Sequence, residues 1–211
     1  MKTKTFFILI LAFSIALPVG GCKKAEKPAE AIAQEFQWEI DKFADLSIKR
    51  FQVPGFEDLT LDQKKLIYYL NEAAVCGRDI ITDQNYKHNL AVRKTLDAIV
   101  EGYKGDRTDP QWEKFMVYVK RVWFSNGIHH HYSTDKFIPE FTADYFSGLI
   151  KESEGVEFPL DEGKTLDGLI AFLNPIIFDP TVDSKKVSQD ATKDLVTHSA
   201  VNFYEGVTPV S

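Results

Sequence analysis

Sulfur and positive charge are both scarce in this chain. Two cysteines and two methionines occur in 211 residues, and 31 acids outnumber 25 lysines and arginines for a formal charge of −6. That balance argues against a general nucleic-acid binder, whose affinity rests on cations neutralising phosphates. Also missing is an apolar run of about 20 residues, the length a bilayer span requires. Ser125, Ser133, Ser147 and Ser199 lie in no G-x-S-x-G context, which leaves a serine hydrolase without support. Gly102, Gly105, Gly127 and Gly148 form no phosphate-binding pattern, so nothing indicates a nucleotide cofactor. Asp161-Glu162 and Asp144 read as ordinary surface acids. What is present is the balance of a folded chain, 44% hydrophobic and 27% charged, long enough for one domain with a sizeable core.

The N-terminus reads as an export signal. Lys2 and Lys4 precede the apolar run Phe6 to Leu17, in which only Ser14 is polar. Val19-Gly20-Gly21-Cys22 then resembles the bacterial lipoprotein box, which implies a signal peptide over 1–21, cleavage before Cys22 and lipid attachment there. Loss of those 21 residues removes two lysines and no acid, taking the charge from −6 to −8. Each buried acyl methylene contributes about 0.8 kcal/mol, so a multiply acylated cysteine anchors stably to a membrane. The alternative is a simple secretory signal with an incidental cysteine. Residues 22–30, with the run Lys23-Lys24-Ala25-Glu26-Lys27-Pro28, read as a solvated tether. Lys23 after the cysteine suggests release toward a periplasm-facing outer membrane, since the usual inner-membrane retention signal is Asp. Lipidation leaves Cys76 without a partner, and its apolar neighbours Ala73, Ala74 and Val75 point to a buried structural thiol.

Residues 31–211 read as mainly α, a series of short amphipathic helices. Ile32, Phe36, Ile40 and Phe43 recur at helical spacing and predict a first helix. Ile48, Phe51 and Val53 run extended toward a Pro54-Gly55 turn. Thr60 with Gln63 matches a capping box, followed by the stripe Leu66, Leu70, Ala73 and Ala74 and a stop at Gly77. A further stripe, Val92, Leu96, Ile99, Val100 and Tyr103, ends at Gly105. Asp109 as cap and Pro110 at the first helical position start the clearest helix, with Trp112, Phe115, Met116, Val119, Val122 and Trp123 on a core face and Gly127 closing it. Helices are predicted to start at Thr142 and near Thr165, and the two prolines within Asn174 to Asp183 predict a loop. Gly206-Val207-Thr208-Pro209 has the form of a helix start.

The stretch Arg121 to Phe141 contains three consecutive histidines, His129, His130 and His131. Neighbouring residues diverge by about 100° on a helix and alternate faces on a strand, so the three cannot converge on one ion in regular structure. Any further ligand would come from His88, His198, Glu140 or Asp135, and no H-x-x-x-H spacing supports a metal site. The rings are expected to hydrogen-bond loop backbone after Gly127, with Tyr132 packed beside them. A polar loop on a packed helix can also line a ligand cleft, which makes Asn126, His129, His130, His131 and Tyr132 the candidate lining residues.

The order S-N-G…Y-S-x-D-K-F-x-P in this stretch resembles dipeptidyl peptidase III zinc peptidases of the Bacteroidetes-like lipoprotein type. The resemblance extends through FQVPGFEDLT (51–60), LIYYLNEAAVCGRDIITDQNY (66–86), YKGDR (103–107), VKRVWFSNGIHHHYSTDKFIPEF (119–141), IIFDPTV (176–182) and NFYEGVT (202–208). It implies a two-lobed enzyme that removes dipeptides from peptide N-termini with zinc-activated water and a glutamate base. The family's zinc is held by an H-E-x-x-G-H helix, absent between Met1 and Ser211. The resemblance therefore implies the first, helical part of the lobe without zinc, truncated, with no catalytic residue and no cofactor of its own. Such a piece would meet peptide substrate only together with the remainder. A self-contained helical lipoprotein that binds a peptide or protein partner is the alternative.

Overall fold

The computed structural model describes residues 36–160, 165–204 and 206–209. The signal peptide, tether, Cys22, Ile32, Asp161 and Glu162 lie outside the described residues. Cα proximity groups residues 37–211 into one unit, and the elements below all belong to it. They comprise an antiparallel hairpin, β1 (Glu39–Phe43) and β2 (Leu46–Lys49), and six helices: α1 (Leu61–Cys76), α2 (Arg78–Asn85), α3 (Asn89–Gly102), α4 (Pro110–Ser125), α5 (Ala143–Lys151) and α6 (Leu166–Phe178). A single 3₁₀ turn follows at Asn202–Tyr204. The chain is mainly helical, as the periodicity predicts.

Helix starts follow their local chemistry. Thr60 and Gln63 form the reciprocal capping box at α1. Asp109 accepts from Gln111 N–H with Pro110 behind it at α4, and Thr142 and Thr165 accept from Tyr145 and Gly168 N–H at α5 and α6. Gly77 ends α1, and α3 ends at Gly102, three residues before the predicted Gly105.

The core lies among α3, α4, α5 and α6. Val92, Leu96 and Ile99 of α3 meet Phe115, Val119 and Val122 of α4, with Phe146, Ile150, Leu173 and Ile177 closing the other side. Every one of these side chains is fully buried, each worth roughly 1.5–3 kcal/mol on transfer from water.

Four expectations are corrected. The predicted helix through Phe36, Ile40 and Phe43 is the hairpin: Glu39, Asp41 and Phe43 face inward while Ile40 is exposed, a period of two. Tertiary contacts decide this, because Asp41 pairs with Lys120 of α4 at 2.6 Å and Lys120 also lies over the Phe43 ring. The predicted loop 174–183 is helical as far as Phe178, with Pro175 inside α6. A proline there costs about 3 kcal/mol, yet burying Leu173, Ile176 and Ile177 together outweighs it. Trp123 lies off the core face, 39% exposed, its indole N–H donating to Asp97 at 2.7 Å. Cys76 is exposed because α1 buries no residue at all: Leu66, Ile67, Tyr68, Tyr69 and Leu70 all face solvent. The helix start expected at Thr208-Pro209 would continue past the described residues.

Candidate functional site

The histidine loop begins where α4 stops. Asn126 caps α4 in the left-handed conformation and Gly127 follows at φ 148°. A Cβ on Gly127 would collide with the Asn89 amide, so both backbone conformation and space require glycine. Asn89 is fully buried at the start of α3 and pins this turn: its Nδ2 donates to Thr82 O at 3.1 Å and Asn126 O at 3.4 Å, and its Oδ1 accepts from Ile128 N–H at 3.1 Å. Asn85 Nδ2 adds a bond to Asn126 O at 3.1 Å.

Beyond the turn, Phe137 N–H donates to Ile128 O and His130 N–H to Asp135 O, folding residues 128–137 back on themselves. This reversal sends the three imidazoles to different surroundings. His129 is 2% exposed, and its Nε2 lies 2.7 Å from Asp183 O. A carbonyl only accepts, so the proton sits on Nε2 and the buried Nδ1, with no partner, is unprotonated. Burial pushes the His129 pKa down to about 4, which keeps the ring neutral. His130 Nδ1 accepts from the N–H groups of Tyr132 and Ser133, leaving Nε2 to donate to Asp45 at 3.2 Å. His131 stacks on His130 at 4.4 Å and packs between Phe124 and Tyr132; burial, with the adjacent His130, lowers its pKa.

Asp183 is the partner that no local pattern announces. Its carbonyl meets His129 and its carboxylate accepts from the Tyr86 hydroxyl at 2.5 Å, while Tyr86 packs edge-on against His129. Tyr86 is buried, and desolvation together with this bond raises its pKa. Next to it the buried Lys136 donates to Asp179 O and to Val182 O at 2.8 Å. Desolvation lowers the Lys136 pKa. Tyr86, His129 and Lys136 thus fasten the segment after α6 from three directions. Asp45 at the hairpin tip is held by His130 and by Arg121 at 3.4 Å, so the loop also docks the hairpin.

Several of the side chains that could bind zinc already hold other partners. His129 Nε2 and His130 Nδ1 are committed to backbone groups, and Asp135 is paired with Lys185 at 2.5 Å. His198 bonds its own turn through Asp194 O, and His88 packs edge-on against Phe172. Among the described residues no three His, Cys, Asp or Glu side chains are placed to hold an ion.

Of the five candidate lining residues, Asn126 borders an open cleft of about 720 Å³ that Arg78, Arg93, Trp123 and Phe124 also line. His129 is buried, His130 and His131 are half-buried, and Tyr132 is 83% exposed. Asn89, Asp183, Asp45 and Lys136 complete the site but were not singled out by the sequence. The fold and loop together define a mainly helical protein whose histidine tract is a structural junction. Comparison with known protein families and with curated proteins found no match. No described helix is long and apolar enough to cross a membrane.

Proposed function

We propose that this chain is the first, helical portion of the zinc-free lobe of a dipeptidyl peptidase III-like protein, a scaffold carrying no catalytic group of its own. The ordered sequence blocks support the family reading, from FQVPGFEDLT at 51–60 to NFYEGVT at 202–208. The observation that carries the scaffold reading is α1. From Leu66 onward its large apolar side chains face solvent, with Leu66 at 59%, Leu70 at 60% and Val75 at 49% exposed, whereas a cluster of that kind is normally covered by other protein. Ile80 and Ile81 of α2 continue the surface at 63% and 53%. More protein around α1 would complete that part of the core, as the remaining lobe would in the full architecture.

In this proposal the body is held at the cell envelope through lipidated Cys22, facing the periplasm, and meets peptide substrate only with the rest of the enzyme. The test is an activity and zinc assay on purified protein. The expected result is no release of dipeptides from a peptide substrate and no stoichiometric zinc. Zinc-dependent release of dipeptides from the peptide N-terminus would end the scaffold reading. The second reading, a self-contained helical lipoprotein that binds a partner, is favoured by the contiguous buried cluster from Tyr86 to Ile177. It predicts cooperative thermal unfolding as a monomer.

A further inference from the structure

Two buried hydrogen-bond donors that no protein acceptor meets belong to residues lining one groove. The groove lies along α4 between the hairpin tip at Ala44 and the segment Ile138–Glu140, with a volume of about 380 Å³. Tyr118 and Arg121 form part of its wall. The Tyr118 hydroxyl and Arg121 Nε are both buried without a hydrogen-bond partner. Tyr118 itself is 3% exposed. An unmet buried donor is unfavourable, and native structures hold few of them. Here two lie at i and i+3 of one helix, on one face and one turn apart.

The rest of the lining selects the acceptor. Lys114 and Arg121 are matched by Glu113 and Glu140, and Arg121 is further neutralised by Asp45. A balanced wall gives an anion no net attraction. The remaining lining is aliphatic: Pro110, Val117, Ile138 and Pro139. Small-molecule sites have this make-up, an apolar cleft with a few convergent polar groups, and about 380 Å³ is at the small end of their range.

The geometry points to a binding subsite for a small neutral molecule with two amide carbonyls on an aliphatic body. One carbonyl accepts from the Tyr118 hydroxyl and the other from Arg121 Nε–H. Both donors sit beneath the groove surface, so the ligand shifts a wall to reach them. The wall that has to shift is Ile138–Pro139, which belongs to no helix or strand and whose Ile138 side chain is 46% exposed. This inference is independent of the peptidase assignment, because it uses only α4 and its two neighbours.

The experiment is a titration of the isotope-labelled full chain with N-acetyl-leucinamide, followed by amide chemical shifts. Saturable shifts at Val117, Tyr118, Arg121 and Ile138 are expected, with a dissociation constant on the order of 1 mM for so small a ligand. N-Acetylleucine, the carboxylate analogue, should bind no more tightly. Tyr118→Phe should weaken binding about fivefold by removing one hydrogen bond, with the melting temperature unchanged or raised because the lost hydroxyl had no partner. Ile138→Ser should weaken binding without unfolding the chain. Shifts that fail to saturate, shifts centred on α1, or a Tyr118→Phe variant that binds like the parent would overturn the assignment.

Discussion

Acidification should loosen this protein through His129 before its carboxylates respond. The ring is buried, its Nε2–H is held by Asp183 O, and its pKa lies at about 4 against an ordinary value of 6.5. The unfolded chain therefore binds a proton more readily than the folded one. Stability from this group is complete above the unfolded pKa of 6.5 and is lost as pH falls toward the folded value of about 4. The whole difference is about 3 kcal/mol, of which roughly 2 kcal/mol falls between pH 7 and pH 5. Asp41, Asp45 and Asp79 have pKa values already below 3.8, so their contributions fade only at lower pH. Urea unfolding at pH 7, 6 and 5 isolates the histidine term. His129→Gln keeps an N–H donor for Asp183 O and removes the titration, so it should be weaker at pH 7 and much flatter with pH. His131, also lowered by burial, should leave a residual slope of the same sign. A parent protein equally stable at pH 7 and pH 5, or a variant with the parent's full slope, would refute the reasoning.

Three further outcomes follow from the same structure. Gly127→Ala places a Cβ against the Asn89 amide at a positive φ, and Asn89→Ala leaves the buried Ile128 N–H unmet. Each should cost roughly 2–4 kcal/mol in denaturant unfolding, and the double variant should fall short of their sum because both act on one turn. Leu66→Lys and Leu70→Lys on the exposed face of α1 should shift stability by no more than about 0.5 kcal/mol while lowering binding of a hydrophobic dye; a loss of several kcal/mol would show that α1 is covered. Cys76, exposed at the end of α1, should react with a thiol reagent in the native protein, and Cys76→Ser should remove that reaction.

The helix starts were legible because their causes are local. Thr60 with Gln63, Asp109 with Pro110, Thr142 and Thr165 each satisfy backbone donors within three residues. The hairpin was not, because the apolar spacing of Phe36, Ile40 and Phe43 fits a helix and the deciding partner, Lys120, lies 79 residues from Asp41. The passage of α6 through Pro175 depends on how deeply Leu173 and Ile177 are buried, which periodicity alone does not reveal. Of the site, the histidine tract and the bonding of His130 to loop backbone at Tyr132 and Ser133 follow the local sequence, whereas His129 bonds Asp183 O instead. Asn89, Asp45 and Asp183 could not be read directly, since they reach the loop from 39, 85 and 54 residues away. The exposure of α1 and Cys76 was also unreadable, because a capped apolar helix has the same sequence whether or not its cover lies in the same stretch of chain.

The most direct test of the scaffold proposal is to read the source DNA through and beyond codon 211. The account predicts an open frame, continuous or resumed after one disruption, that reaches an H-E-x-x-G-H segment. A clean stop after Ser211 with no such segment downstream would contradict it and leave the partner-binding helical lipoprotein as the better reading.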